Sequence, residues 1–251
     1  MVYLMQSLDF QGKLWKVDPV RLIKEDKDDP VADFFLVLGL IYNDLKSLTY
    51  HFVNVQNSIK TLKLDEVTIE RGEFAGMKSH LERLMVGTMR ELFEFLESSN
   101  EILSCEEFKA TYNRLNRDMK ERWDTIVAVA TNSGRQEKDI SDFLRLLIMI
   151  RSNLAFHYQS TKVMRKGFID FFYHNPKKQP ANEKCYYSKG DTMRDTRFYF
   201  SDAAAQGSMH NQVSQKMTYA EYERKVSSVI DDANFAIMAL MKEFLRTRPS
   251  Q

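Results

Sequence analysis

Arg151, Ser152, Asn153 and His157 are the residues of this 251-residue chain whose types and spacing could do chemistry. They follow Phe143 to Ile150, a run that is apolar at every position except Arg145. Such a run predicts a helix buried nearly all round. Arg151 stands three and four residues from Leu147, Ile148, Leu154 and Ala155, so it projects from an apolar stripe. A guanidinium in that position must be paired or hydrogen-bonded, because an uncompensated buried charge is strongly destabilising. It is suited to bidentate contact with phosphate. An imidazole can move a proton near neutral pH. Asn153 and His157 are four apart and share a helix face, whereas Arg151 and His157 are six apart and about 120° out of line on an ideal α-helix. Convergence of the two therefore needs a second copy across a symmetric interface or a local distortion of the helix. The competing reading is structural: Arg151 pairs with a carboxylate on a neighbouring helix and sets its register, while His157 is a half-buried polar residue.

The same chemistry extends downstream. Lys162, Arg165 and Lys166 precede the aromatic run Phe171-Phe172-Tyr173, and Lys177 and Lys178 follow it. Cations interleaved with aromatics can hold phosphates and stack unpaired bases. Phe171 and Phe172 read equally as core. Tyr186, Tyr187, Arg194, Arg197 and Tyr199 could line or cover the same cleft, Arg197 as a further substrate contact, or merely pack their own loop down. The clusters Glu66-Glu70-Arg71-Glu73 and Arg114-Arg117-Lys120-Glu121-Arg122 read as solvated helix faces. His51, His80, His174 and His210 have no carboxylate or cysteine at metal-ligand spacing, and the chain lacks the paired Glu-x-x-His of bundle di-metal sites. Gly72, Gly76 and Gly87 form no phosphate loop. No metal and no cofactor is expected.

The stretch Ile150-Arg151-Ser152-Asn153-Leu154-Ala155-Phe156-His157-Tyr158 resembles the Arg-x4–6-His signature of the HEPN superfamily (higher eukaryotes and prokaryotes nucleotide-binding). That resemblance covers the seven residues from Arg151 to His157 and implies a helical bundle with the motif on a late helix. It further implies a metal-independent endoribonuclease or RNA-binding protein, in which the arginine and histidine of two protomers face each other across a dimer cleft and support attack of an RNA 2′-hydroxyl on the adjacent phosphodiester. Arg151 would then stabilise charge on the phosphate and His157 would act as general acid or base. The family often places Asn, Asp or His directly after the arginine. Here Ser152 stands there and Asn153 follows, so both are candidates for the polar assistant. The partners implied are single-stranded RNA, a second copy of the chain, and an antitoxin such as a nucleotidyltransferase in a toxin–antitoxin or defence system. The alternative is a non-catalytic helical interaction module, with Arg151 and His157 structural and methionine-lined surfaces such as Met85, Met89 and Leu92, or Met238 and Met241, as the partner face.

The elements that must position these residues are helices. Asp29-Pro30 combines an N-cap carboxylate with proline at the first helical position. It opens a helix to about Ile59 that buries Phe34, Val37, Leu38, Ile41, Leu45, Leu48 and Phe52. A second runs from about Glu66 to Leu96, with Phe74, Met77, Leu81, Leu84, Met85, Met89, Leu92, Phe93 and Leu96 on one face. Ser104 and Glu107 have capping-box spacing and open a third, through Tyr112, Leu115, Met119, Trp123 and Ile126, that stops near Asn132-Ser133-Gly134. Asp139 or Ser141 caps a fourth, to about Tyr158. Val163 to Tyr173 is the same helix kinked at Gly167 or a short separate one. Thr218 and Glu221 form a second capping box that opens the last helix, to about Leu245. The expected fold is all-α: an up-and-down bundle of about five main helices in one domain over 1-251. Within it, 1-29 is an N-terminal extension, 30-174 the core helices, 175-211 a loop insertion with a possible small hairpin, and 212-251 the C-terminal core helix.

Composition sets the outer limits. With 43% hydrophobic and 12% aromatic residues the chain can build a core, which excludes a disordered class. Nine glycines and five prolines are too few for the turns of a many-stranded fold. A net charge of +1 supplies no global basic field, so any nucleic-acid site must be local. Two cysteines, Cys105 and Cys185, make no disulfide framework. The first residues lack the pattern of a signal peptide, and no apolar run approaches the length of a membrane span. The expectation is a soluble, cytoplasmic protein without membrane association.

Overall fold

A computed structural model describes residues 19–23, 28–62, 68–131, 138–155, 161–174 and 185–248. Among these the fold is all-α, and the only bridge between extended residues pairs Ser188 with Arg197. In chain order the helices are α1 (Pro19–Leu22), α2 (Pro30–Thr61), α3 (Ile69–Ser98), α4 (Asn100–Ser104), α5 (Glu106–Asn113), α6 (Arg117–Ala130), α7 (Lys138–Ile150), α8 (Thr161–Phe172), α9 (Tyr199–Ser214) and α10 (Tyr219–Thr247). A π-helical turn, Arg151–Ala155, follows α7, and a 3-10 turn, Met193–Asp195, precedes α9. No helix among the described residues is long and apolar enough to cross a membrane.

Local capping starts the long helices. Asp29 Oδ1 accepts from the Ala32 amide at 3.0 Å, so α2 begins at Pro30 as the sequence predicts. Thr68 Oγ1 accepts from the Arg71 amide at 3.1 Å and opens α3. The capping box at α10 is reciprocal: the Thr218 amide donates to Glu221 Oε2 at 2.8 Å, and the Glu221 amide to Thr218 Oγ1 at 3.2 Å.

Several expectations need correction. The third helix is broken in two, because the Asn116 side chain accepts from the Met119 amide at 2.9 Å and begins α6 afresh. The residue capping α5 is Cys105, whose Sγ accepts from the Phe108 amide at 3.5 Å; Ser104 instead ends α4. Asp139 and Ser141 lie inside the first turn of α7, which starts at Lys138. The supposed loop insertion, 175-211, gives way at Tyr199 to α9, a 16-residue helix that runs on to Ser214. The stop near Asn132-Ser133-Gly134 lies outside the described residues. Val37 and Met77, expected inside, are exposed.

The chain divides into two compact units: the first comprises Met1–Ser47, Glu91–Ser141 and Lys225–Gln251, the second Leu48–Arg90 and Asp142–Arg224. The first has an aromatic centre. Phe35 stacks on Phe244 at 4.1 Å, Phe34 on Phe95 at 5.1 Å, and Phe108 stands edge-on to Phe34 at 5.6 Å and 6.0 Å from Trp123. Its polar closure is Arg248, which donates to Asp29 Oδ2 at 2.6 Å and Glu107 Oε1 at 3.1 Å. Arg122 and Asp232 form a second half-buried pair at 2.8 Å.

The second unit is held where α8 crosses α9. A Cβ on Gly167 would lie 2.1 Å from the Ala204 carbonyl oxygen and 2.6 Å from the Ser208 nitrogen. One on Gly207 would lie 2.3 Å from the Gly167 carbonyl oxygen. The backbones meet because neither residue carries a side chain, so Gly167 serves close packing inside a continuous α8, not a kink. Alanine normally gains about 1 kcal/mol over glycine within a helix. Here the obstructing atoms are backbone, so the clash wins. Gly167→Ala and Gly207→Ala are each expected to destabilise the protein by about 1–3 kcal/mol, read as a lower urea midpoint; unchanged midpoints would refute the close crossing.

Candidate functional site

Arg151 opens the π-helical turn in which α7 ends. Along α7, Phe143, Leu144, Leu146, Leu147 and Ile150 are buried, while Arg145 is exposed and Ile148 is 41% exposed. The helix is therefore amphipathic, not buried all round: residues 145 and 148 define an outer face three apart. The turn continues this division, with Leu154 and Ala155 buried and Arg151, Ser152 and Asn153 half-buried. A guanidinium, a hydroxyl and a carboxamide on consecutive residues thus each lie at the boundary between core and solvent. A π turn widens the backbone spiral from four to five residues per hydrogen-bonded step and is enriched at functional sites. The wider step lowers the rotation per residue below the α-helical value, so the turn does not by itself bring positions six apart onto one face. Phe156, His157 and Tyr158 lie outside the described residues.

Ten residues further on, α8 presents Lys162, Arg165 and Lys166, all exposed and all on one face by their three- and four-residue spacing. Phe171 and Phe172 are half-buried, with ring centroids 5.0 Å apart, and Phe171 lies against Gly207. They pack the helix down. Lys177 and Lys178 lie outside the described residues.

Arg197 sits elsewhere in the second unit. The backbone pair Ser188–Arg197 (2.9 and 3.2 Å) aims its side chain at α3 and α9. Its Nε donates to Asp202 Oδ2 at 2.9 Å and its Nη1 to Glu73 Oε2 at 3.2 Å. Gly76 makes room, since a Cβ there would lie 2.2 Å from Arg197 Nη2. Burial disfavours the Arg197 charge, but the bonds and charges of Asp202 and Glu73 outweigh it and raise its pKa. Tyr199 adds its hydroxyl, 3.3 Å from both Glu73 Oε1 and the Ile69 carbonyl. At the rim, burial and then the charges of Arg83 and Arg197 lower the His80 pKa, with Asp202 opposing. Arg197 is thus engaged by two carboxylates, where sequence reasoning groups it with the cations of α8. Tyr186 is half-buried, and the exposed Tyr187 stacks on Phe198 at 6.5 Å.

A half-buried acid–phenol pair has no sequence signal at all. Tyr219 donates to Glu82 Oε1 at 2.7 Å, across 137 residues of chain, and His210 stacks on the Tyr219 ring at 5.4 Å. The Tyr222 ring, fully buried, lies 5.5 Å from Tyr219. Burial raises the Glu82 pKa, opposed by the Tyr219 hydrogen bond and the Lys78 charge. Among the described residues, no three His, Cys, Asp or Glu side chains are grouped to hold a metal ion.

Comparison of the chain with protein-family models, with curated proteins and with solved structures returns no match.

The Glu82 environment makes stability depend on pH. Because its folded pKa is raised, the folded state holds the proton more tightly. The stability this contributes is complete below the ordinary carboxylate range, about 4.3, and is lost as pH rises through the folded pKa. Glu82→Gln stays neutral and can still accept from Tyr219. Its urea midpoint, relative to the unsubstituted chain, is expected to rise between pH 4 and neutrality; a difference that stays flat with pH would show that Glu82 titrates normally.

Proposed function

We propose that the chain is a HEPN-like protein that binds single-stranded RNA and cleaves it without metal, with Arg151 and His157 meeting at a cleft between two copies. The observation that carries this reading is the π-helical turn Arg151–Ala155, which places the motif arginine and both candidate assistants at a half-buried distortion of the late helix. The exposed cations Lys162, Arg165 and Lys166 on the next helix support it, since they supply a local positive face to a chain of net charge +1.

In the reaction the 2′-oxygen attacks the adjacent phosphorus and the bond from phosphorus to the 5′-oxygen breaks, leaving a 2′,3′-cyclic phosphate and a 5′-hydroxyl. Negative charge grows on the non-bridging oxygens, where the Arg151 guanidinium stabilises it. His157 takes the 2′-hydroxyl proton or delivers one to the departing 5′-oxygen, and the partner copy supplies the complementary role. Ser152 or Asn153 orients the phosphate by hydrogen bonding. A cytoplasmic antitoxin, a nucleotidyltransferase among the candidates, is the partner class that accompanies this reading.

A second reading, a non-catalytic helical interaction module, draws on a different observation: Leu36, Val37 and Leu40 are exposed together on α2. The two separate in one assay. Purified protein is expected to cleave single-stranded RNA in the presence of a chelator. Arg151→Ala and His157→Ala should each slow cleavage by about 100-fold or more with the helical circular dichroism retained. RNA left intact by the unsubstituted protein, with and without divalent metal, would hand the chain to the module reading.

A further inference from the structure

Tyr173 lies just past the end of α8 and is 64% exposed. Its amide donates to the Ile169 carbonyl at 2.9 Å, so its backbone still follows the helical register. Lys162, Arg165, Lys166, Ile169 and Tyr173 therefore recur on one face, which runs for about 16 Å at the α-helical rise. The opposite face carries Gly167 and Phe171, which are pressed against α9. The close crossing thus turns the cations and the tyrosine outward together, on a helix that cannot roll without separating two backbones. Asp170, at the edge of this face, is engaged by Asn211 Nδ2 at 2.7 Å and faces His174 at 3.5 Å, which draws its charge toward α9 and away from the strip.

The chemistry of such a strip is asymmetric. Three cations in the first two turns match consecutive phosphates. A phenol ring at the far end, whose nearest aromatic neighbour among the described residues is Phe168 at 6.4 Å, offers a face on which a base can stack. Duplex RNA shields its base faces within the stack and could use only the cations; an unpaired strand uses both. Resting on the RNA reading above, we infer that the outer face of α8 is a single-strand tract: Lys162, Arg165 and Lys166 hold the backbone, and Tyr173 stacks one base a few nucleotides away. Tyr173 is the residue that distinguishes single strands from duplex.

The test is fluorescence anisotropy of the full chain with a labelled 2′-O-methyl oligouridine, which lacks the nucleophilic hydroxyl and so reports binding alone. Tyr173→Ala is expected to weaken binding about 10-fold, as loss of one stacked base does, while Tyr173→Phe binds normally. Each of Lys162→Ala, Arg165→Ala and Lys166→Ala should lower the slope of log affinity against log salt by about 0.7. An RNA duplex should bind more weakly and be indifferent to Tyr173→Ala. No oligouridine binding, equal binding by Tyr173→Ala, equal affinity for duplex, or a preference for anionic lipid vesicles would each overturn the tract. Cleavage of ordinary RNA is scored separately. If cleavage depends on Arg151 but binding ignores Tyr173, the tract falls and the enzyme stands; if binding needs Tyr173 but nothing is cleaved, the reverse holds.

Discussion

The approach of two backbones at Gly167 and Gly207 is the constraint on which the second unit depends. Helix axes normally stand 8–10 Å apart because side chains intervene. Here the Gly167 carbonyl faces Gly207 directly, and Ala204 and Ser208 complete a surface of small side chains on α9. With the crossing set, the rest of the arrangement follows. The cations of α8 point to solvent, and Phe171 closes the seam. Asp202, three residues into α9, comes within reach of Arg197, which in turn draws the 185–198 segment onto Glu73 of α3.

Three half-buried ionisable groups are answered in different ways. Arg197 is desolvated, yet two carboxylates and the removal of a Cβ at Gly76 accommodate it. Glu82 accepts from a phenol and feels the charges of Lys78 and Arg83, yet burial outweighs them and leaves a carboxyl that prefers its proton. In the first unit, Arg248 joins two acids and also lies over the Phe244 ring at 4.9 Å, so one side chain both pairs charge and caps the aromatic centre.

Signals that act over three or four residues were legible in the sequence. Asp29-Pro30 and Thr218–Glu221 start α2 and α10 where those residues stand, because a cap is a hydrogen bond within one turn. Helix α9 was not legible. It buries Ala204, Ala205, Gly207 and Ser208 with only Met209 and Val213 as larger apolar residues, and a search for large apolar residues at helical spacing passes over such a helix. The break at Asn116 was missed because Leu115, Met119 and Trp123 keep their period across it, while the Asn116 carboxamide competes locally for an amide. At the candidate site, residue type flagged Arg151 and the α8 cations. The π turn could not be read, since it lies in backbone spacing and not in composition. Nor could the partners of Arg197, one of which is 124 residues away.

The first unit is assembled from three separated stretches of chain, and α10 supplies Phe244 and the helix that leads to Arg248. Asp29 therefore waits 219 residues for its partner. During synthesis, the aromatic faces of α2 and α5 emerge from the ribosome long before the ring that stacks on Phe35 exists. The second unit, by contrast, has all its stretches in hand once Arg224 is made. Translation therefore completes every stretch of the unit bearing Arg151 before it completes those of the other, whose aromatic centre lacks Phe244 until α10 is made.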